Sequence, residues 1–423
     1  MDWYGIAVFV LPGMFWAGVL ILAFGLVKLL FVPLSMGFEF VAWRRRRQKA
    51  PSLLDQQPMV SVIVPGYNEA NVINNCVESV VASSYRPMEV ILVDDGSTDN
   101  TAELMAALAA KHPVVTFVAQ PNAGKGAALN NGAQRAKGQV LMFVDADGIF
   151  TAHTIEDMLA GFTDSGVGAV CGDDRPVNLN KVQTQLLTVI SHIGTGLVRR
   201  GLTVLHVMPI VSGNIGAFRR DVLDVTGPLD TKTLGEDLDL TWRIYKAGYR
   251  VRYNPRALVY AESPSTIKGL WKQRVRWARG LLQCLRIHWR MIGNPAYGVF
   301  GAFMAFNALT MVVVPLLQLL VVALIPLLVA GGANPVPPDA WGVVGWIGLL
   351  TAVFLAVFSM GINKAWGDLR YLWTLPLWPV YSLFVGATMF WAVVQEVRGA
   401  PARWNKLERT GVVSIPTRSL ETL

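Results

Sequence analysis

Two hydrophobic patterns divide the chain, and each predicts a different environment. Uncharged, apolar stretches occupy residues 3–27, 297–329, 341–362 and 371–395. Each is long enough to cross a bilayer, because a helix needs about 20 apolar residues to span the hydrocarbon layer. Between residues 59 and 256, short branched runs alternate with amphipathic stretches instead, which is typical of a domain folded in water.

The middle of the chain alternates the patterns of strands and helices. Apolar, β-branched runs predict strands at residues 60–64, 89–93, 114–119 and 140–144. Amphipathic stretches between them predict helices at residues 71–83, 101–111 and 126–136. This alternation indicates βαβ units and a largely parallel sheet, whose ligands bind beyond the carboxyl ends of the strands.

The strand at residues 140–144 runs directly into the sequence Asp145-Ala146-Asp147. Residues two apart in a strand point to the same side, so the two carboxylates can lie together. Oxygen ligands of this kind suit a hard divalent cation such as Mg²⁺ or Mn²⁺, which typically shares its coordination with substrate phosphates. The alternative is a solvated turn, because Asp-x-Asp is a common sequence.

Polar sequences also follow the other strands, at residues 65–69, 94–99 and 122–126. Each has an ordinary interpretation, since Thr98 or Asp99 can cap a helix and 122–126 can form a glycine turn. The last sequence is not a Walker A loop, but Lys125 can still face a diphosphate, because lysines and helix N-termini both attract phosphate. Their occurrence at successive strand ends favours a nucleotide-diphosphate site.

Composition supports a membrane protein and argues against other classes. The chain has 423 residues, of which 53% are hydrophobic and 16% charged. Its net charge of +8 permits nucleic-acid binding, but basic runs such as residues 44–49 stand beside apolar spans and fit anionic phospholipid better, so no nucleic acid is expected. The three cysteines are far apart and predict neither a zinc site nor a disulfide framework.

The basic run after the first span predicts the orientation of the chain. Basic residues beside a span stay in the cytosol, so we expect the domain inside and the N-terminus outside. Three later spans would leave the C-terminus outside, whereas the basic tail with Arg398, Arg403, Lys406 and Arg409 favours the cytosol. A re-entrant break at Pro315 is one solution, and the sequence leaves the choice open.

Seven sequences, in order, resemble the membrane glycosyltransferases of family 2. They are VSVIVPGYNEA at 60–70, DDGSTDNT at 94–101, NAGKGAALNNG at 122–132, DAD at 145–147, SGNIGAFRR at 212–220, GEDLDLTWRIYKAGYRV at 235–251 and QRVRW at 273–277. The group includes poly-N-acetylglucosamine, hyaluronan and nodulation chitooligosaccharide synthases. The resemblance covers nearly the whole chain and implies an α/β GT-A-like nucleotide-sugar domain inserted between transmembrane helices.

The resemblance also implies roles for individual residues. Asp147 would ligate the metal with Asp145, and Asp95 would contact the uracil base. Pro65, Asn68 and Glu69 would line the nucleoside pocket, and Lys125 and Asp145 would lie near the nucleotide. The implied segments are an N-terminal anchor at 1–43, a basic linker at 44–58, the cytosolic GT-A domain at 59–262, interfacial helices at 263–296, transmembrane helices at 297–396 and a basic tail at 397–423.

Gly235-Glu236-Asp237 precedes a predicted helix at residues 238–247. Asp237 can serve there as a helix cap that also compensates the helix dipole. The catalytic alternative is a general base, since a carboxylate can take the proton of a sugar hydroxyl as it attacks the anomeric carbon. The resemblance assigns the base to Asp237, with Glu236 beside it. Hyaluronan and chitin synthases typically read Gly-Asp-Asp-Arg here, so this sequence is closer to the poly-N-acetylglucosamine branch.

Basic residues and tryptophans interleave between residues 265 and 291, which predicts an interfacial helix beside the bilayer. Gln273, Arg276 and Trp277 stand at i, i+3 and i+4 and share one face of it. That face can offer Arg276 to the diphosphate and the Trp277 indole to an acceptor sugar. Residues 178–205 form a second amphipathic stretch, which predicts either a membrane-surface helix or a packed helix of the domain.

The resulting hypothesis is an inverting, UDP-sugar-dependent enzyme of the bacterial inner (plasma) membrane. It would transfer a sugar, with N-acetylglucosamine favoured, to a growing β-linked polysaccharide and export the polymer. One alternative is a lipid glycosyltransferase that adds one sugar to ceramide or diacylglycerol. Another is a non-catalytic scaffold that binds nucleotide. Membrane lipids are expected partners, and partner subunits are left open.

Overall fold

The computed structural model describes residues 3–331, 338–401 and 409–414. Most of the predicted basic tail, including Arg403 and Lys406, lies outside these residues. The chain begins with helix α1 (Trp3–Val27), which continues through one tight turn into α2 (Phe31–Arg47). Four consecutive arginines form the last turn of α2, where positive charge interacts favourably with the carbonyl end of the helix dipole.

The domain is built on one eight-stranded sheet. Its strands are β1 (Val60–Gly66), β2 (Met88–Asp94), β3 (Val115–Ala119), β4 (Val140–Phe143), β5 (Ile149–Phe150), β6 (Val167–Pro176), β7 (Gly216–Arg219) and β8 (Arg250–Ala261). Their order is β3-β2-β1-β4-β7-β6-β8-β5. The first four strands are parallel, as the alternating pattern predicts, and β7 is antiparallel to both of its neighbours.

Helices cover both faces of this sheet. They are α3 (Ile73–Val81), α4 (Thr101–Lys111), α5 (Lys125–Arg135), α6 (Thr154–Ala160), α7 (Val182–Ser191), α8 (Arg199–Val204), α9 (Arg220–Thr226), α10 (Glu236–Lys246) and α11 (Ile267–Ile287). Successive residues of β1 enter different cores: Val62 and Val64 pack with α3 and α4, whereas Ile63 packs with α5 and α10. Burial of one such side chain contributes about 1.5–3 kcal/mol.

The C-terminal helices are α12 (Gly298–Ala308), α13 (Val314–Ala330), α14 (Pro338–Ile362) and α15 (Trp378–Val397). Among the described residues, four segments are long and apolar enough to cross a membrane: Gly13–Arg47, Pro295–Ala330, Gly345–Ile362 and Trp366–Val397. These segments flank the domain on both sides in the sequence. The architecture is therefore an α/β domain inserted between apolar helices, as predicted.

The second amphipathic stretch is a packed element of the structure. It forms α7, a π-helical segment from His192 to Val198, and α8. The buried side chains of Val189, Ile193 and Leu197 pack with Leu355 and Met360 of α14. This stretch therefore joins the domain to the membrane helices.

The last apolar segment, Trp366–Val397, contacts the domain region at both of its ends. Asp368 accepts a hydrogen bond from His192 at 2.8 Å, and Glu396 accepts one from Arg279 of α11 at 2.6 Å. Residues 409–414 also lie against the domain, where the Thr410 N–H donates to Glu262 at 2.8 Å. The end of the described chain is thus on the same side as the domain, which resolves the conflict between span count and tail charge.

The chain reverses its direction within the segment Trp366–Val397 and not at Pro315. Pro315 lies just after the π-helical turn Leu309–Val313, within the continuous helical segment Pro295–Ala330. Proline cannot donate the usual helical hydrogen bond, and the altered bonding of a π-turn is one way in which a helix accommodates it. The described part of the tail therefore lies with the domain, and the cytosolic side of both stays a prediction.

Candidate active site

A cleft opens at the carboxyl edge of the parallel strands. β1 and β2 end in register, with Gly66 opposite Asp94, and β4 pairs along the other side of β1. The loops after all three strands therefore meet at one place. The cleft is lined by Pro65, Gly66, Tyr67, Glu69, Asp95, Lys125, Asp145, Ala146, Asp147, Arg276 and Arg409. A cavity of about 510 Å³ adjoins it and shares Tyr67, Asp95 and Lys125.

The two carboxylates that follow β4 each contact a cation of the chain. The Lys125 ammonium pairs with Asp145, and an Arg409 guanidinium nitrogen lies 3.0 Å from an Asp147 oxygen. The backbone N–H of Glu262 donates to Asp147 at 2.9 Å. Burial raises the pKa of Asp147, Arg409 opposes that rise, and the neighbouring charge of Asp145 adds to it. The site holds negative charge that needs a positive partner.

The donor set suits a divalent cation that shares its coordination with a ligand. Asp145 and Asp147 supply hard carboxylate oxygens, and the Arg409 guanidinium shows that a cation fits beside Asp147. Within the described residues, no group of three or more His, Cys, Asp or Glu side chains could hold a metal ion. A metal here would therefore take its other ligands from phosphate oxygens or water, as magnesium-type sites do.

Two polar residues predicted in the nucleoside pocket organise loops. The Asp95 carboxylate accepts hydrogen bonds from Gln120 at 2.7 Å and from the N–H groups of residues 123 and 124 at 2.8 Å. It still lines both cavities. The Asn68 amide oxygen accepts from the Thr98 N–H at 2.7 Å, and Asn68 is outside the cleft lining. Asn68 thus joins two loops, whereas Pro65 and Glu69 face the cleft.

Lys125 stands between two pairs of acidic residues. It is the first residue of α5, directly after Gly124, whose φ of 88° favours glycine. Burial lowers the pKa of Lys125, but the carboxylates of Asp145, Glu236 and Asp237 together raise it above its ordinary value. One ammonium group therefore faces both the acids after β4 and the acids at the start of α10.

The second acidic pair has neutral hydrogen-bond donors. One Asp237 oxygen accepts from the Gly213 N–H at 3.3 Å and the other from the Leu238 N–H at 2.8 Å. The residue at the N-cap position is Gly235, so Asp237 is not the cap of α10. Burial and the charge of Asp237 raise the pKa of Glu236 to about 7, against the opposing effects of Lys125 and Arg276.

The three residues predicted to share one face of α11, Gln273, Arg276 and Trp277, do not all line the cleft. Arg276 lines the cleft and acts on the charge of Glu236. Trp277 is 49% exposed, and the Arg274 guanidinium lies 4.3 Å from the centre of its ring. Gln273 and Trp277 are not among the residues that line the cleft. The structure therefore brings one of the three residues, Arg276, to the cleft.

Arg409 is a site residue that the sequence interpretation missed. Its backbone carbonyl accepts a hydrogen bond from Asn71 at 3.0 Å, and its guanidinium contacts both Asp147 and the Glu262 carbonyl. The following Gly411 N–H donates to the Glu262 carboxylate at 3.2 Å. The sequence offered only a basic tail, because nothing in its pattern connects residue 409 with residue 147.

Comparison with known proteins finds similarity over the domain. Residues 61–227 match the family model described as glycosyl transferase family 2. The chain is 31% identical over 264 residues to a poly-beta-1,6-N-acetyl-D-glucosamine synthase of Staphylococcus aureus, covering 60% of this chain and 64% of that protein. A synthase of the same name from Staphylococcus epidermidis is 32% identical over 222 residues, covering 52% and 54%. The matches thus span less than two thirds of these relatives.

A solved structure shows the same fold. A mannosyltransferase from Pyrobaculum calidifontis, in complex with GDP-Man and Mn²⁺, superposes with a TM-score of 0.62 at 22% identity. The match covers 89% of this chain and 99% of that one, so it extends over the domain and much of the membrane part. The sheet is GT-A-like, and the part of the domain that matches the glycosyl transferase family 2 model, residues 61–227, is less than half of the chain.

Proposed function

We propose that the chain is an inverting, multi-pass membrane glycosyltransferase. It moves N-acetylglucosamine from its UDP-sugar to a growing β-linked polysaccharide. The observation that carries the proposal is Lys125 between two acidic pairs, Asp145 with Asp147 and Glu236 with Asp237. The names of the Staphylococcus synthases support the sugar and the polymeric product.

Asp237 is the proposed general base. Its carboxylate takes the proton of the acceptor hydroxyl as the oxygen attacks the anomeric carbon and the bond to UDP breaks. A single displacement from the opposite face inverts the anomeric configuration. Two adjacent carboxyl groups resist ionising together, and the pKa of about 7 at Glu236 leaves much of that side chain protonated near neutral pH. The charge of Asp237 is one of the causes of that raised pKa.

Asp145 and Asp147 are the proposed metal ligands, for Mg²⁺ or Mn²⁺. The ion supplies positive charge beside the leaving diphosphate. The Mn²⁺ named with the mannosyltransferase supports a divalent ion without choosing between the two metals. Lys125 and Arg276 line the same cleft and place further positive charge where the diphosphate leaves.

The remaining proposed contacts divide between donor and acceptor. Pro65, Glu69 and Asp95 line the nucleoside side of the cleft, and Asn68 holds its loop. Trp277, an exposed residue of α11, is the proposed platform for the acceptor sugar, and Gln273, one turn before it, is a proposed contact of the nucleotide sugar. An exposed indole suits this role because its large apolar face can stack on a sugar ring.

The proposed location is the inner (plasma) membrane, with the domain in the cytosol. The arginines at the end of α2 support that orientation, because basic residues beside a span stay inside. The apolar helices would pass the polymer outward. Membrane lipids are proposed partners, and nucleic acid is not.

The decisive experiment separates polymer, lipid product and no product. Purified full-length protein in detergent is incubated with radiolabelled UDP-N-acetylglucosamine and Mn²⁺, and label is measured in a polymer fraction and in an organic extract. We expect UDP release with label in the polymer, and much less label from UDP-glucose. Label on an extractable lipid would favour the lipid glycosyltransferase, which the named relatives do not support. No UDP release would favour a nucleotide-binding scaffold.

A further inference from the structure

A second, larger cavity lies away from the catalytic cleft. It has a volume of about 980 Å³ and is lined by residues of α2, α6 and β8 and by the loop that follows α14. Lys125, Asp145, Asp147 and Asp237 are not among its lining residues. Its size is in the range of ordinary ligand pockets, about 300–1,000 Å³. The reaction proposed above gives it no role.

The lining of this basic cavity carries uncompensated positive charge. Its three acidic residues already have partners: Glu39 pairs with Arg200 at 2.7 Å, Asp157 with Arg256 at 3.3 Å and Asp368 with His192 at 2.8 Å. Six other cations line it and form no ion pair with the described part of the chain: Arg45, Arg46, Lys49, Arg252, Lys364 and Arg370. Such a cluster is unfavourable by itself, because like charges in one cavity repel.

Arg252 on β8 shows this repulsion most directly. Burial lowers the pKa of its guanidinium, and the positive charge of Arg45 lowers the pKa further. Within residues 3–331, 338–401 and 409–414, Arg45 donates to the backbone carbonyls of Pro51 and Thr163 and to no carboxylate. Two arginines from different parts of the chain thus face the same space, and both retain donors for an anion.

A neutral donor lies in the same wall. Tyr253 lines the cavity and is 1% exposed, and its buried hydroxyl has no hydrogen-bond partner in the described structure. A buried hydroxyl without a partner costs free energy. The lining therefore includes an unused hydroxyl as well as guanidinium groups, and both chemical types donate to phosphate oxygens.

The position of the cavity points to the membrane surface. α2 ends at Arg47 and α14 ends at Ile362, and residues from the ends of both helices line the cavity. Both helices belong to segments long and apolar enough to cross a membrane. Phosphate groups of lipids occupy this level, just outside the hydrocarbon layer.

We propose that the basic cavity binds a phosphate-bearing anion. Arginines suit this ligand because the planar guanidinium can donate two parallel hydrogen bonds to phosphate oxygens. The phosphate can belong to the headgroup of an anionic lipid or to a soluble phosphorylated compound. The two sources share this chemistry, and the experiment separates them.

The test uses the full-length protein in neutral detergent with two probes, phosphatidylglycerol in mixed micelles and inorganic pyrophosphate. Binding is followed by equilibrium titration and by the rise in melting temperature. The cavity variant combines Arg45→Gln with Arg252→Gln. The control combines Lys272→Gln with Arg286→Gln, two exposed cations of α11 outside the cavity. We expect saturable binding by the unmodified protein, weakened about tenfold in the cavity variant, or about 1.4 kcal/mol. In the control it should change less than about twofold.

The single variant Arg252→Gln separates binding from folding. Because Arg252 faces like charge and forms no ion pair, its loss should leave the ligand-free melting temperature unchanged or slightly higher, while anion binding weakens. Saturation by the lipid alone would identify a headgroup site, and saturation by pyrophosphate alone a site for a soluble ligand. Absence of saturable binding by both probes, or equal weakening in the cavity and control variants, would overturn the proposal.

Discussion

Lys125 is close to acids of two pairs, Asp145 with Asp147 and Glu236 with Asp237, and the groups that contact the two pairs differ. The oxygens of Asp145 and Asp147, after β4, contact cations of the chain. The oxygens of Asp237, at the start of α10, accept hydrogen bonds from neutral backbone N–H groups, and the pKa of the adjacent Glu236 is raised to about 7.

The difference indicates two kinds of chemistry within one site. Carboxylates placed beside cations can exchange one positive partner for another, which suits the binding of a metal ion and a diphosphate. Carboxyl groups placed beside neutral donors and beside each other respond mainly to protons. We therefore interpret Asp145 and Asp147, the strand-end pair, as the part of the site that binds positive charge. We interpret Glu236 and Asp237, the helix-start pair, as the part that takes up and releases protons.

Removal of a charge from the strand-end pair should have the largest effect. Asp147→Asn is expected to lower the rate of transfer by about a thousandfold or more. The reason is that a bound metal ion stabilises the transition state by several kcal/mol, and the variant lacks one of its ligands. Transfer from UDP-N-acetylglucosamine is measured together with Mn²⁺ binding by electron paramagnetic resonance, and both should be lost. Asp224→Asn, an exposed aspartate of α9, is the matched control. Near-normal turnover of Asp147→Asn, or full activity of the unmodified protein in EDTA, would contradict the metal assignment.

The same chemical change in the helix-start pair should separate chemistry from binding. Asp237→Asn is expected to lower transfer by roughly 10²–10⁴-fold, the usual contribution of a general base. Affinity for UDP and for Mn²⁺ should stay within about twofold, because only proton removal is affected. Titration calorimetry with UDP and single-turnover rates give the two quantities. If UDP affinity falls together with the rate, Asp237 binds nucleotide and the distinction between the pairs is lost.

A change on the acceptor side should leave both acidic pairs intact. Trp277→Ala is expected to reduce polymer by about tenfold or more, or about 1.4 kcal/mol, while membrane content and UDP binding persist. Trp289→Ala is the matched control, because Trp289 is 63% exposed and also has an arginine, Arg290, beside its ring at 5.5 Å. Equal loss of product in both variants, or loss of Trp277→Ala from membranes, would make Trp277 a membrane anchor instead.

The smallest expected effect concerns the proton of Glu236. The pKa of Glu236 is about 7 in the folded protein, against an ordinary value of 4.5. The proton on Glu236 therefore contributes fully to the free energy of unfolding below pH 4.5, and this contribution is lost as the pH rises through about 7. Glu236→Gln removes this dependence because the amide stays neutral. The variant should melt about 2–4 °C above the unmodified protein at pH 8.5 and no higher than it at pH 5.

Thermal unfolding at the two pH values gives the comparison, and Glu103→Gln, an exposed glutamate of α4, is its control. An equal shift at both pH values would mean that Glu236 does not hold a proton near neutrality. The helix-start pair would then resemble the strand-end pair.

The sequence by itself determined the elements of the parallel part of the sheet, β1 to β4 with the helices between them, and several residues of the candidate site. Strands and helices followed from hydrophobic period, because burial of one face is a local property of the chain. The carboxylates of Asp145 and Asp147 and the ammonium of Lys125 were predictable at strand ends, since parallel strands present their carboxyl ends at one edge. The apolar spans were equally evident, because crossing a bilayer needs one long uncharged segment.

Only the tertiary structure decided which distant groups meet. It seats Arg409 against Asp147 and turns the Asn68 amide toward a neighbouring loop. It also brings the segment Trp366–Val397 back to the domain at both ends. Contacts between residues far apart in the sequence depend on how whole helices and strands pack, and the hydrophobic periodicity of a single segment does not contain that information. The basic cavity has the same origin, because its cations come from α2, β8 and the loop after α14 and share no motif.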